Sequence, residues 1–315
     1  MKLRTVSAAA LLLIPAGSLS AADPRLLGMV MPEASVVAGV NVAQARGTPF
    51  GQYVLGQARQ ESADFAKFVA ITGFDPRRDL TEVVFASAGE SGKKAGLAIA
   101  RGTFDVNRLV AAARADGHSV DTYQGVEVAT SRNGNDSVAF LDATLALAGS
   151  ASEVRAAIER RNRPTAFHAA IAARIAQLGS TQDAWFVSLG PLTGLNPTFA
   201  DRNLNGALRG DVAKSIEQAS AGVKFGALAE IHAEAVARSE KDATALADVV
   251  RFLAGMIQLN MPEKEAEAFG PLLQSLDVTA QATTVRLSLS IPEDQVERLF
   301  APRRGGRTPG RPSRR

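Results

Sequence analysis

The chain has no cysteine among its 315 residues. That excludes disulfides, thiolate zinc sites, iron–sulfur ligation, cysteine nucleophiles and a lipid-modified N-terminal cysteine. Aromatic side chains are scarce, with one Trp and two Tyr beside 14 Phe. So few flat rings argue against a stacking platform for nucleic-acid bases, and they weaken the case for a carbohydrate-binding surface. Histidine is limited to His118, His168 and His232, with no two at metal-ligand spacing. A zinc site would therefore need distant carboxylates to converge. Long apolar runs are also missing. Ala8–Ile14 falls far short of the ~20 apolar residues that span a bilayer, and no later stretch qualifies.

What is present is a globular composition, 46% hydrophobic and 21% charged. The length allows one large domain or two ordinary ones. Residues 1–22 read as a secretory signal: Lys2 and Arg4, the run Ala8–Ile14 ended by Pro15, then small residues up to Ala21 and Ala22. Cleavage after Ser20 or Ala22 suits the small-x-small rule, and places the mature protein in the periplasm or outside the cell.

Charge is divided unevenly. Of the net +3, the signal carries +2 and the tail Ala301–Arg315 carries +6, which leaves −5 on residues 23–300. The acidic body disfavours a nucleic-acid face. The tail sets Arg303, Arg304, Arg307, Arg311, Arg314 and Arg315 among Pro and Gly with no acid. It cannot bury a core, and disorder is expected. It reads either as a solvated charge run or as an electrostatic attachment to an anionic surface such as acidic lipid headgroups, which salt would weaken.

The hydrophobic pattern predicts an α+β protein. Strand Ser35–Val42 is followed by a long helix capped by Thr48 and ended by Gly73. Strands Glu82–Ala88 and Ala95–Arg101 and a helix over Asp105–Ala115 follow. Short strands then run from Ser119 to Leu147, with a hairpin signal at Asn133-Gly134. Ser150 with Glu153 reads as a capping box for the next helix, and a further helix is expected over Ala166–Leu178. The second half offers strand Ala184–Leu189, loop-rich sequence from Gly190 to Gly210, and strand Ala227–Arg238. In that strand Glu230, His232 and Glu234 alternate with Ile231, Ala233 and Ala235. A helix capped by Ser239, a broken helix over Glu263–Leu276, strands Asp277–Ala282 and Thr284–Ser290, and a final helix complete it. The β-α-β-β-α order occurs in both halves. It suggests two related ferredoxin-like units, residues 23–180 and 181–300, each an antiparallel sheet with helices on one face.

No motif reaches a catalytic constellation. Asp201-Arg202-Asn203-Leu204-Asn205-Gly206 opens like a calcium loop, but Arg209 and Val212 occupy positions that need oxygen ligands. Gly89–Lys94 lacks the first glycine and the hydroxyl of a phosphate loop. Ser91-x-x-Lys94 lacks the partner motifs of penicillin-binding enzymes, and Gly117–Asp121 lacks the second glycine of a nucleophile elbow. The acid pairs Glu263/Glu267 and Glu230/Glu234 read as solvated faces. The sequence thus assigns no catalytic, cofactor-binding or metal-binding residue.

Met31-Pro32-Glu33-Ala34-Ser35-Val36, Gly73-Phe74-Asp75-Pro76-Arg77-Arg78-Asp79-Leu80, Arg101-Gly102-Thr103-Phe104-Asp105 and Tyr123-Gln124-Gly125 together resemble a class of exported bacterial proteins of unknown function. The resemblance covers most of residues 31–160 and, more faintly, 230–300. It implies architecture and carries no activity or site residue.

Two functional expectations remain. One is a non-catalytic envelope protein that binds a protein or lipid partner, either an envelope protein or an anionic surface. The other is an extracytoplasmic hydrolase with a site assembled in space from dispersed Asp, Glu, Ser and His. Ionisable side chains converging on a cleft favour the second, and an exposed apolar patch favours the first.

Overall fold

A computed structural model gives the fold and describes residues 23–48, 51–52, 63–88, 95–163, 168–190, 214–260, 270 and 273–292. The strands are β1 Val36–Asn41, β2 Leu80–Ala88, β3 Ala95–Gly102, β4 Ser119–Tyr123, β5 Val126–Thr130, β6 Asp136–Asp142, β7 Leu145–Ser150, β8 Ala184–Leu189, β9 Ile216–Lys224, β10 Leu228–Ala237, β11 Asp277–Gln281 and β12 Thr284–Pro292. The helices are α1 Pro24–Leu27, α2 Val42–Arg46, α3 Ala63–Thr72, α4 Pro76–Asp79, α5 Val106–Ala115, α6 Ala151–Asn162, α7 Ala169–Thr181 and α8 Glu240–Asn260.

All twelve strands join one sheet in the order β11-β12-β10-β9-β8-β1-β2-β3-β7-β6-β5-β4. Every pairing is antiparallel. The α+β class and mainly antiparallel sheet expected from sequence are observed. β1 lies between the two halves of the chain, paired with β2 on one side and β8 on the other. The two edges, β4 and β11, are five-residue strands that each carry an Asp. Short, charged edges discourage further strand addition.

Helices cover both faces, not one. On one face Val37, Val84, Ile99, Leu147 and Val187 pack with Val154 and Ile158 of α6 and with Ile171 and Ile175 of α7. Side chains alternate along a strand, so their neighbours Ala100, Phe140 and Ala146 point the other way. These meet Leu109 of α5 and Phe104. The same face, in the second half of the chain, carries α8 through Ala243, Leu246 and Ala247 against Ala219, Val278 and Val285. The physical reason is that many strands are apolar on both sides, as in Leu97-Ala98-Ile99-Ala100, and both sides need a cover.

Local signals account for most element boundaries. Asp105 caps α5 by accepting from Arg108 N at 3.1 Å. Ser239 caps α8, accepting from Asp242 N at 3.1 Å while its hydroxyl donates to the Asp242 carboxylate at 2.8 Å. Thr48 Oγ1 accepts from Gly51 N at 3.2 Å, in line with its expected cap role. The capping box at Ser150 does not form: Ser150 holds the N-cap position, yet its buried hydroxyl makes no hydrogen bond there. α7 runs through Gly179 to Thr181, past its expected stop. β9 forms where no strand is expected from the residue pattern.

Candidate functional site

The polar alternation of β10 builds a cleft. Glu234 lies in cross-strand register with Ser220 of β9 and Arg286 of β12, and Arg286 with Thr279 of β11. Two residues along, His232 is level with Gly222 and Ser288, and Ser288 with Asp277. These two rows share one face of the sheet, opposite α8. α7 walls that face. It buries Ile171, Ile175 and Leu178 at helical spacing against the sheet and so aims Arg174 at the polar rows.

Arg174 is the organising cation. Its Nε donates to Ser220 Oγ at 2.9 Å and one terminal nitrogen to Gln177 Oε1 at 2.9 Å. The other terminal nitrogen lies 3.3 Å from Glu234 Oε1. Arg286 Nε reaches the second Glu234 oxygen at 3.1 Å. Glu234 is thus held between two guanidinium groups. The cleft has a volume of about 280 Å³. Arg174, His232, Glu234, Asp277 and Arg286 all line it. Convergence of ionisable groups is therefore present, although the sequence had singled out only His232 and Glu234 among them.

A second cavity of about 480 Å³ lies between α2, the end of α7 and the β8–β9 strands. Its carboxylate, Asp183, is buried and already satisfied. It accepts from Lys224 Nζ at 2.9 Å and from Phe225 N at 2.7 Å.

On the opposite face of the sheet α8 presents a different surface. Ala243, Leu246, Ala247 and Val250 point into the core. Ala245, Val249, Phe252, Met256 and Leu259 lie on the reverse side of the helix, since an α-helix turns 100° per residue. Phe252 is 63% exposed and Leu259 86%. A helix of this kind normally turns polar residues to solvent. The sequence pattern groups Val249 and Met256 with Leu246, Val250, Leu253 and Ile257 on one face; in the structure Ala245, Val249 and Met256 are half-buried and flank the exposed Phe252 and Leu259.

No protein-family model matches the chain, and no curated protein does. Its structure is similar to that of TP0453. Crystal form III of TP0453 superposes with a TM-score of 0.54 at 11% identity, over 86% of this chain and 95% of that one. Crystal form IV gives 0.51 at 13% identity, over 88% and 96%. The likeness is one of fold. It spans most of this chain and nearly all of that one, so it concerns the architecture and not one supersecondary unit.

The remaining sequence candidates are dispersed. His118 sits 3.5 Å from Asp116, and His168 is the N-cap residue of α7. Asp121 pairs with Arg155 at 2.8 Å on the β4 edge. Among the described residues no three His, Asp or Glu side chains gather to hold a metal ion. No helix among them is long and apolar enough to cross a membrane. Arg303, Arg304, Arg307, Arg311, Arg314 and Arg315, the Asp201 loop, Gly89–Lys94, Glu263 and Glu267 lie outside the described residues, as does the signal.

Proposed function

We propose that the protein is exported and acts in the cell envelope as a non-catalytic interaction module, docking an apolar helix of a partner protein on α8. The carrying observation is the outward stripe of α8, with Phe252 and Leu259 set toward solvent. Spacings of four and three residues are those by which helices pair. A lipid surface suits the stripe less well. α8 holds Glu240, Asp242 and Asp248 against Lys241 and Arg251, a net −1, whereas helices that lie on anionic membranes carry Lys and Arg beside the apolar face. The six tail arginines add an electrostatic handle of short range, ~8 Å at physiological salt.

The test is site-specific crosslinking from exposed position 248, one turn from Phe252, in envelope extracts, with Phe252→Ser/Leu259→Ser and a chain lacking residues 301–315 as comparators. A crosslinked partner helix that the double substitution releases is the expected result. A partner retained by the double substitution overturns the docking site. Binding to phosphatidylglycerol vesicles that depends on the same two residues would assign the stripe to lipid instead.

The cleft supports the hydrolase as a second reading, because it brings Ser288 beside His232. Its order is unfavourable. A serine nucleophile needs the imidazole between hydroxyl and carboxylate, whereas the register puts Ser288 between His232 and Asp277. Glu234 is occupied by two arginines, and an arginine does not exchange protons near neutrality. Ester or amide turnover lost in both His232→Ala and Ser288→Ala would replace the binding function with an enzymatic one.

A further inference from the structure

Asp23, which follows the second of the two expected cleavage points, is unusually well fixed. Its carbonyl accepts from Leu26 N at 2.9 Å and Leu27 N at 3.2 Å, and its carboxylate accepts from Arg25 N at 2.8 Å. Immediately beyond it Leu26, Met29, Val30 and Met31 are buried in the main core. Asp23 therefore cannot drift from its place without pulling core residues with it.

The backbone nitrogen of Asp23 points at a buried carboxylate. Asp23 N donates to Glu82 Oε1 at 3.4 Å, and the Glu82 side chain is only 8% exposed. Around Glu82 stand Arg101 of β3 at 3.6 Å, the Asp23 carboxylate, Arg25 beyond it, and Asn41 as cross-strand neighbour on β1. Arg101 is shared, because it also bonds the Asp23 carboxylate. Arg25 is turned largely to solvent. Among the described residues, the enclosed part of the cluster thus holds two carboxylates and one cation. Burial pushes the Glu82 carboxyl above its usual range.

We propose, on the export reading above, that signal cleavage falls between Ala22 and Asp23 and that the α-ammonium group it creates becomes the second cation of this cluster, an ion-pair partner for Glu82. In the precursor the Asp23 nitrogen is a neutral amide with one proton to donate. Hydrolysis of the 22–23 peptide bond by water leaves a carboxylate on the departing signal and an amine on Asp23, protonated at neutral pH. The same atom then carries a full positive charge and three donors at an unchanged position. Charge-assisted hydrogen bonds are about twice as strong as neutral ones. Removal of the signal therefore fastens the N-terminal segment to β2, and the mature fold is tighter than the precursor's.

Three forms of the chain ending at Arg315 test this: one starting with a free amine at Asp23, the same form Nα-acetylated, and one extended by two neutral residues. The free-amine form should melt about 2 °C or more above the other two near neutral pH. The gap should begin to narrow above pH ~8, where a free α-amine gives up its proton, and close as the pH rises through the higher value of the paired amine. Glu82→Gln should abolish the gap whatever its own effect on stability. Equal melting of all three forms overturns the ion pair, and so does a gap that survives Glu82→Gln. Intact mass of the protein recovered from the envelope separates the two levels. A start at Asp23 supports the assignment. A start at Ala21 overturns it while leaving export standing, and an uncleaved chain overturns export itself.

Discussion

The indole of Trp185 lies against the bare α-carbon of Gly39 on the neighbouring strand. A β-carbon at position 39 would come within 2.4 Å of the ring. The two residues are cross-strand partners where β1 meets β8, the seam between the halves of the sheet, and Trp185 is 3% exposed. Gly39→Ala should cost about 1–3 kcal/mol through overpacking. Urea denaturation followed by Trp fluorescence checks it, because the only indole in the chain reports from the contact itself. Unchanged stability would mean the sheet yields at the seam.

Acid should loosen the α3–β2 connection. Asp75 caps α4 by accepting from Arg77 N at 3.0 Å and pairs with the Arg77 guanidinium at 2.7 Å. Asp79 pairs with Arg78 at 2.7 Å and accepts from Asp75 N at 2.8 Å. The Arg77 and Arg78 side chains hold these carboxyls below the usual aspartate range. Their folded values lie below their unfolded ones, so the stability they contribute is present above pH ~4 and is lost as the pH falls through the folded values. Asp75→Ala should cost about 1 kcal/mol as a lost cap and flatten the acid limb of a Tm-against-pH curve.

Glu82 acts with the opposite sign in a chain whose Asp23 nitrogen is a peptide amide, as in the precursor or an N-terminally extended form. Its carboxyl is raised by burial, so its contribution is present below pH ~4.3 and is lost as the pH rises through the folded value. Glu82→Gln should make stability less sensitive to pH above that point. A variant with the wild-type pH profile would show that the carboxylate is fully compensated.

The two faces of α8 should respond differently. Leu246→Ala removes a core contact and should cost about 2–4 kcal/mol. Phe252→Ser should leave stability within about 0.5 kcal/mol, as for other exposed sites. A large loss at position 252 would mean that something in the chain already covers the stripe.

Arg174 and Glu234 should be energetically coupled. A double-mutant cycle with Arg174→Met and Glu234→Gln is expected to give an interaction of about 1 kcal/mol, since both side chains are largely enclosed. The Arg286→Met and Glu234→Gln cycle should give less, because Arg286 is 58% exposed and water screens it. The ranking, read by urea titration at low salt, is the checkable quantity.

Much of the fold was legible because periodicity and turn chemistry are local. The strands around Asn133-Gly134, the cap at Ser239 and the polar-apolar alternation of β10 need only their own neighbours to be recognised. β9 was not legible. Ile216-Glu217-Gln218-Ala219-Ser220-Ala221-Gly222 has small and polar residues with little β-propensity. It is a strand because β8 and β10 flank it on both sides. Its small side chains leave room for what crosses it: Gln182 would be within 2.4 Å of a β-carbon on Gly222.

The cleft was only half legible for the same reason. Glu234 and His232 stood out by alternation, but Arg174 is about sixty residues away in the chain. Nothing local says that a helix two strands distant will aim its guanidinium at them. By itself the sequence determined the chemical exclusions that follow from absent cysteine, the α+β class, the charge division and most element boundaries. These depend on composition and on neighbours within a few positions. Only the tertiary structure decided that the halves share one sheet, that both its faces are covered, which ionisable groups meet, and that Asp23 N faces Glu82. Those are contacts between residues far apart in the chain, fixed by packing and strand register, and no local pattern encodes them.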